Sequence, residues 1–277
     1  MIKTIFLICA SLFCFSACSR LDLAVNWADT FLAAKVDDYF DISSEQKKEL
    51  KKYLQADFKR LKNELLPQWM DEISKFKSDV AQGSLTKNRV ELYFNTVMKN
   101  VSSFTGHFSE TAVSFMASVD SNQLNHFNKA FRDKAKEDHE KISDTQKYRN
   151  NLRDKYYKYF EMFLGDLTAE QKNLIEKHLN ETPYPAALKL KNKEHVFQTF
   201  LKERGSPEQI ALFVKNYSAH PEQYSLPEYK QAYQQYQQSL EKLVVQVLTS
   251  LNANQKAELL NNLSEKLAQL ERIRKRG

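Results

Sequence analysis

Glycine and proline are scarce, with 5 and 6 in 277 residues. A β-sandwich needs turn residues at short intervals and a dinucleotide fold needs a Gly-rich phosphate loop, so both are excluded. Cysteine is scarcer still: Cys9, Cys14 and Cys18 are the full set, all near the amino terminus. The rest of the chain therefore holds no thiol for a disulfide or a zinc site. Beyond the first 20 residues no apolar run escapes interruption by charge, which leaves no internal membrane span. A dominant charge sign is missing too. The 41 Lys and Arg against 35 Asp and Glu leave +6, spread along the chain rather than gathered as in a nucleic-acid binder. With 42% hydrophobic residues, the chain can bury a core and is too apolar for disorder.

Catalytic and metal signatures are missing as well. The sequence contains no H-E-x-x-H, C-x-x-C or G-x-S-x-G, and no phosphate-cradling loop. Its six histidines (107, 126, 139, 178, 195 and 220) include no pair three or four apart, the spacing that puts two imidazoles on one helix face. A protein without metal or cofactor, and not an enzyme, is the expectation.

What is present begins at the amino terminus. Lys3 is followed by an uncharged stretch from Thr4 to Ala17, too short to span a bilayer, which reads as a secretory signal. It ends Phe15-Ser16-Ala17-Cys18, followed by Ser19-Arg20. This resembles the bacterial lipobox, with Phe15 in place of the usual Leu. The resemblance implies diacylation of Cys18, cleavage before it, and palmitate-class acyl chains as the membrane anchor. Ser19 rather than Asp after the Cys implies sorting to the outer membrane, with the body of the protein facing the periplasm. An ordinary signal peptide cut nearby is the alternative. Residues 1–17 are thus expected to be removed, leaving 18–277 as a single all-α domain.

Apolar positions then recur every three or four residues. One stripe runs Leu50, Leu54, Phe58, Leu61, Leu65, Trp69, Ile73, Phe76, Val80; a second runs from Val90 to Val119; a third from Leu124 to Phe163 across a polar interval. Pro67 should kink the first helix or start a new one. The polar interval is either a solvent-crossing helix or a turn near Ile142 to Thr145. Helices over Glu170 to Asn180, Lys193 to Glu203 (closed by Gly205), one opening at Pro207, Leu226 to Thr249 and Ala253 to about Arg274 complete the chain. No period-two segment of useful length occurs. The expected fold is an elongated all-α bundle of about eight long amphipathic helices.

One local motif recurs. Leu167-Thr168-Ala169-Glu170-Gln171 is a full L-T-x-x-Q, with looser copies at Ile42 to Gln46, Val119 to Gln123, Leu251 to Gln255 and Ile142 to Gln146. Each reads as a capping box with a hydrophobic staple, in which the small polar side chain accepts from the third amide on and the Gln reaches back. Such motifs in a helical, Lys- and Gln-rich exported protein resemble the Spy/CpxP group of envelope-stress chaperones, and the resemblance implies cupped helical surfaces that hold unfolded clients.

Asn26-Trp27, then Val36-Asp37-Asp38-Tyr39-Phe40-Asp41-Ile42 and Gln46, resemble an uncharacterised family of Gram-negative lipoproteins that carry a Trp, an Asp-Asp-Tyr-Phe-Asp block and an L-T-x-x-Q after the lipobox. That resemblance implies location and fold and leaves activity open. Asp37, Asp38 and Asp41 form the best acidic cluster. Paired carboxylates can act as acid and base, so a cell-wall or lipid hydrolase is the alternative function. Helix capping by Asp41 or Ser43 is the plainer role. On the longest Gln-rich helix, Tyr229, Tyr233 and Tyr236 form a stripe, read either as core or as a groove for peptide or glycan. The expected function is a non-enzymatic binding, chaperone-like or scaffolding module, its partners being the membrane (through Cys18) and envelope proteins or unfolded clients.

Overall fold

The computed structural model describes residues 27–275. The signal segment 1–17 and Cys18 lie outside the described residues. Among those described the chain is all-α, a multi-helix bundle without strands. The helices are α1 (Ala28–Phe40), α2 (Ser44–Gln82), α3 (Lys87–Ser103), α4 (Ser109–Ala117), α5 (Ser121–Ser143), α6 (Thr145–Leu164), α7 (Ala169–Glu181), α8 (Ala186–Glu203), α9 (Pro207–Ala219), α10 (Pro227–Thr249) and α11 (Ala253–Lys275). Short 3₁₀ turns occupy Phe104–Phe108 and Pro221–Tyr224.

There are more helices than the apolar stripes imply. The second stripe breaks at Phe104–Phe108, and the polar interval of the third is interrupted at Asp144, which closes α5 and caps α6 by accepting from the Lys147 amide at 2.9 Å. In contrast, Pro67 does not start a new helix: α2 runs through it for 39 residues, about 58 Å. The carbonyl that Pro67 leaves unbonded belongs to Asn63, and both residues are exposed, so water can serve it. One boundary shifts and one cap differs. α8 begins directly after Pro185, and its C-cap is Arg204 in an ordinary conformation rather than Gly205. The left-handed cap glycine is Gly83, which ends α2 with its amide on the carbonyls of Asp79 and Val80.

Four of the five capping motifs pair off across the fold. Gln46 and Gln123 exchange amide hydrogen bonds in both directions, at 3.1 and 2.7 Å, and Gln171 and Gln255 do the same at 3.0 and 2.8 Å. Each Gln Oε1 also accepts its own N-cap amide, from Ser43, Asp120, Thr168 and Asn252 respectively. The spare amide hydrogens reach the partner's loop: Gln46 to the Ser118 carbonyl, Gln123 to that of Asp41, Gln255 to that of Asp166, Gln171 to the Ser250 hydroxyl. A carboxylate has no hydrogen to donate, so Glu, the other capping-box residue, cannot replace Gln here. The fifth copy departs from this pattern, because Asp144 displaces Ser143 as the cap and Gln146 turns to Asn150.

Each paired motif is the bend between two consecutive helices, and the pairing builds two similar units. In the first, the consecutive pairs α1–α2 and α4–α5 meet, with α1 against α5 and α2 against α4. In the second, α6–α7 and α10–α11 meet, with α6 against α11 and α7 against α10. The staple residues Ile42, Leu167 and Leu251 are buried at these bends. One core forms around Phe40, Phe115, Phe131, Phe197 and Phe213, where α8 and α9 cover the first unit; the other forms around Leu164, Ile175, Leu243, Val247 and Leu259. α2 is long enough to serve both, and its middle is clasped by Leu270 and Ile273 of α11 against Leu66.

Candidate functional site: the α3–α10 groove

Two buried aspartates of α2, which no sequence motif marks, position the helices beside it. Asp57 accepts from Arg60 at 2.8 Å and from Thr111 of α4 at 2.6 Å, while Arg60 also reaches the His107 carbonyl. Asp79 accepts from Tyr93 of α3 at 2.7 Å and faces Arg89 at 3.1 Å. Burial, with the Asp79 bond adding to it, pushes the Tyr93 hydroxyl up to about 12, so it stays a donor. This contact fixes the roll of α3.

α3 is weakly buried for an amphipathic helix. Of its residues only Val90 is fully covered, while Leu92 and Val97 are 63% and 58% exposed. Between α3 and α10 lies a groove of about 290 Å³, lined by Phe94, Asn95 and Met98 from α3 and by Gln234, Gln237, Gln238 and Glu241 from α10. Asn95 bridges it to Glu241 at 2.8 Å. The floor is apolar and the rim offers amide donors and acceptors.

The tyrosine stripe lies on the other side of α10. Tyr229, Tyr233 and Tyr236 are half-buried and stack in sequence at 5.7 and 6.1 Å, with Tyr184 edge-on to the latter two. The Tyr236 and Tyr156 hydroxyls are 2.7 Å apart, and Tyr156 also meets His178 Nε2 at 3.0 Å. His178 Nδ1 meets the Ser239 hydroxyl at 2.7 Å. Burial raises Tyr229 and Tyr236 to about 12 and lowers His178, only 4% exposed, to about 4. The stripe is thus an inward network that sets the roll of α10 and turns its glutamines toward α3. The tyrosine spacing was legible in the sequence; the groove on the opposite face was signalled only by the glutamines between them.

The acidic block is divided among three local tasks. Asp37 accepts from the Ile42 amide on one oxygen and from Lys47 on the other, at 3.1 and 2.6 Å, and the Lys47 bond holds its carboxyl below the usual range. Asp38 is exposed and pairs with Lys35. Asp41 ends α1 with a positive φ of 50° and is not the cap of α2; Ser43 is. Between them Tyr39 is half-buried against Phe127, and Phe40 stacks on Phe127 at 4.6 Å in the core. Trp27, at the start of α1, is 61% exposed.

Among the described residues no three His, Cys, Asp or Glu converge as metal ligands, and no helix is long and apolar enough to cross a membrane. A family model for a family of unknown function (DUF6279) matches residues 38–230, well over half of the chain. The chain belongs to that family. The DUF6279 match takes in three of the paired motifs, all of α3 and the first turn of α10; the fourth motif, at Leu251 to Gln255, lies past it. No curated protein and no solved structure matches the chain.

Proposed function

We propose that this protein is a non-enzymatic binding module of the bacterial envelope, anchored in the outer membrane by acylated Cys18, that holds extended or unfolded polypeptide along the α3–α10 groove. The observation that carries the reading is the groove itself, with Phe94 and Met98 as floor and Gln234, Gln237 and Gln238 as rim. An unfolded segment offers apolar side chains for such a floor and unpaired backbone amides and carbonyls for such a rim. Leu92 and Val97 are further exposed apolar residues of α3, outside the lining of the groove. The formal charge of +6, or +5 once Lys3 leaves with the signal, adds attraction for acidic clients that weakens with salt. Hydrolysis by Asp37, Asp38 and Asp41 is the weaker reading, because both Asp37 oxygens are already taken by structural partners.

The test is suppression of aggregation of an unrelated unfolded protein, without ATP and at near-stoichiometric ratios. Phe94→Ser combined with Met98→Ser, which removes the apolar floor, should reduce suppression several-fold while helicity is retained. Absence of suppression by the wild-type protein at any ratio would remove the chaperone-like reading.

A further inference from the structure

Trp27 and Phe31 stand one turn apart at the amino end of α1 and are 61% and 44% exposed. An exposed aromatic pair of this kind needs a cover or a partner. Its direction is fixed from the opposite face of the helix. Asp29 is buried and accepts from Gln55 of α2 at 2.7 Å, and Ala33 is fully enclosed by the core, so α1 cannot roll to bury the pair. Lys35 lies over the Phe31 ring at 5.9 Å, adding an ammonium to the edge of the patch.

The position of the pair identifies its occupant. Trp27 is nine residues beyond Cys18, and a fully extended chain of that length reaches at most about 30 Å. Resting on the acyl-anchor reading of Cys18, we propose that Trp27 and Phe31 dock into the headgroup layer of the leaflet that holds the acyl chains. Trp favours this layer because its ring is apolar and its N–H remains hydrated. The short tether supplies a high local concentration, so a two-residue patch is sufficient. The acyl chains retain the protein at the membrane, and the aromatic pair holds the amino end of α1 against it, fixing an orientation that the acyl anchor alone does not specify.

The experiment uses the full acylated protein with Trp69→Phe, which leaves Trp27 as its tryptophan. It is reconstituted in phosphatidylethanolamine–phosphatidylglycerol vesicles carrying acyl chains brominated near the headgroup, and acylation is checked by mass. Trp27 emission is expected to shift to shorter wavelength and be quenched several-fold, and Phe31→Asp should restore most of it with helicity unchanged. Acyl mass present with Trp27 unquenched would overturn the patch and leave the anchor standing. Quenching that is indifferent to Phe31→Asp would show proximity by tether alone and also overturn it. A protein without acyl mass would defeat the anchor reading and this proposal with it.

Discussion

His178 is held neutral by its surroundings. Both ring nitrogens face hydroxyls, of Tyr156 and Ser239, and neither offers a negative charge to an imidazolium. Its folded pKa of about 4 lies below the unfolded value near 6.5, so the unfolded chain binds the proton first. The stability this supplies is complete above pH 6.5 and is lost as pH falls toward 4, by about 3 kcal/mol in all. Urea melts at pH 7.5 and 4.5 should show that loss in the wild type and a clearly smaller one in His178→Gln; equal losses would contradict the assignment. Asp37, lowered by Lys47, acts in a separate and more acid window, below about pH 4. Asp41 shows how one residue's role hides from sequence. Its place before a helix reads as a cap, but its positive φ makes it the stop of the preceding helix, a conformation that Asp tolerates better than most side chains.

At the scale of elements, the glutamine pairs bind helix starts to one another. Gln171 and Gln255 are almost fully buried, so truncating either one leaves one amide hydrogen of the partner unbonded and out of reach of water. Gln171→Ala and Gln255→Ala should each cost about 1–3 kcal/mol, and the double variant should cost less than the two losses added. Strict additivity in chemical melts would show that the two caps act independently. These helix starts were legible because a capping box is a local signal of cap, amide and staple. Their pairing was not, since contacts between residues 77 and 84 positions apart leave no local trace. The same distinction explains the other elements. A 3.6-residue stripe marks a helix and its apolar face, yet the Val90 to Val119 stripe conceals the 3₁₀ turn at Phe104–Phe108, because apolar residues pack on either side of it. Pro67 starts no new helix, because its lost hydrogen bond falls on the solvent face.

For the whole molecule, two four-helix units share α2 as a spine, and the helices outside those units have different partners. α8 and α9 cover the first core, whereas α3 is held by Asp79 and by one edge of α10 and keeps much of its apolar surface open. The candidate site was half legible: the Tyr and Gln spacing on α10 marked the helix, but which face would be covered depended on Tyr184, His178 and Tyr156, all distant in sequence. Binding at the α3–α10 groove is the central claim, and hydrogen–deuterium exchange of the full-length protein with and without a saturating unfolded client tests it directly. The account predicts added protection concentrated in Lys87–Ser103 and along Pro227–Thr249, with the α1–α2 bend unchanged. Client binding that protects other helices and leaves α3 at its free exchange rate would contradict it.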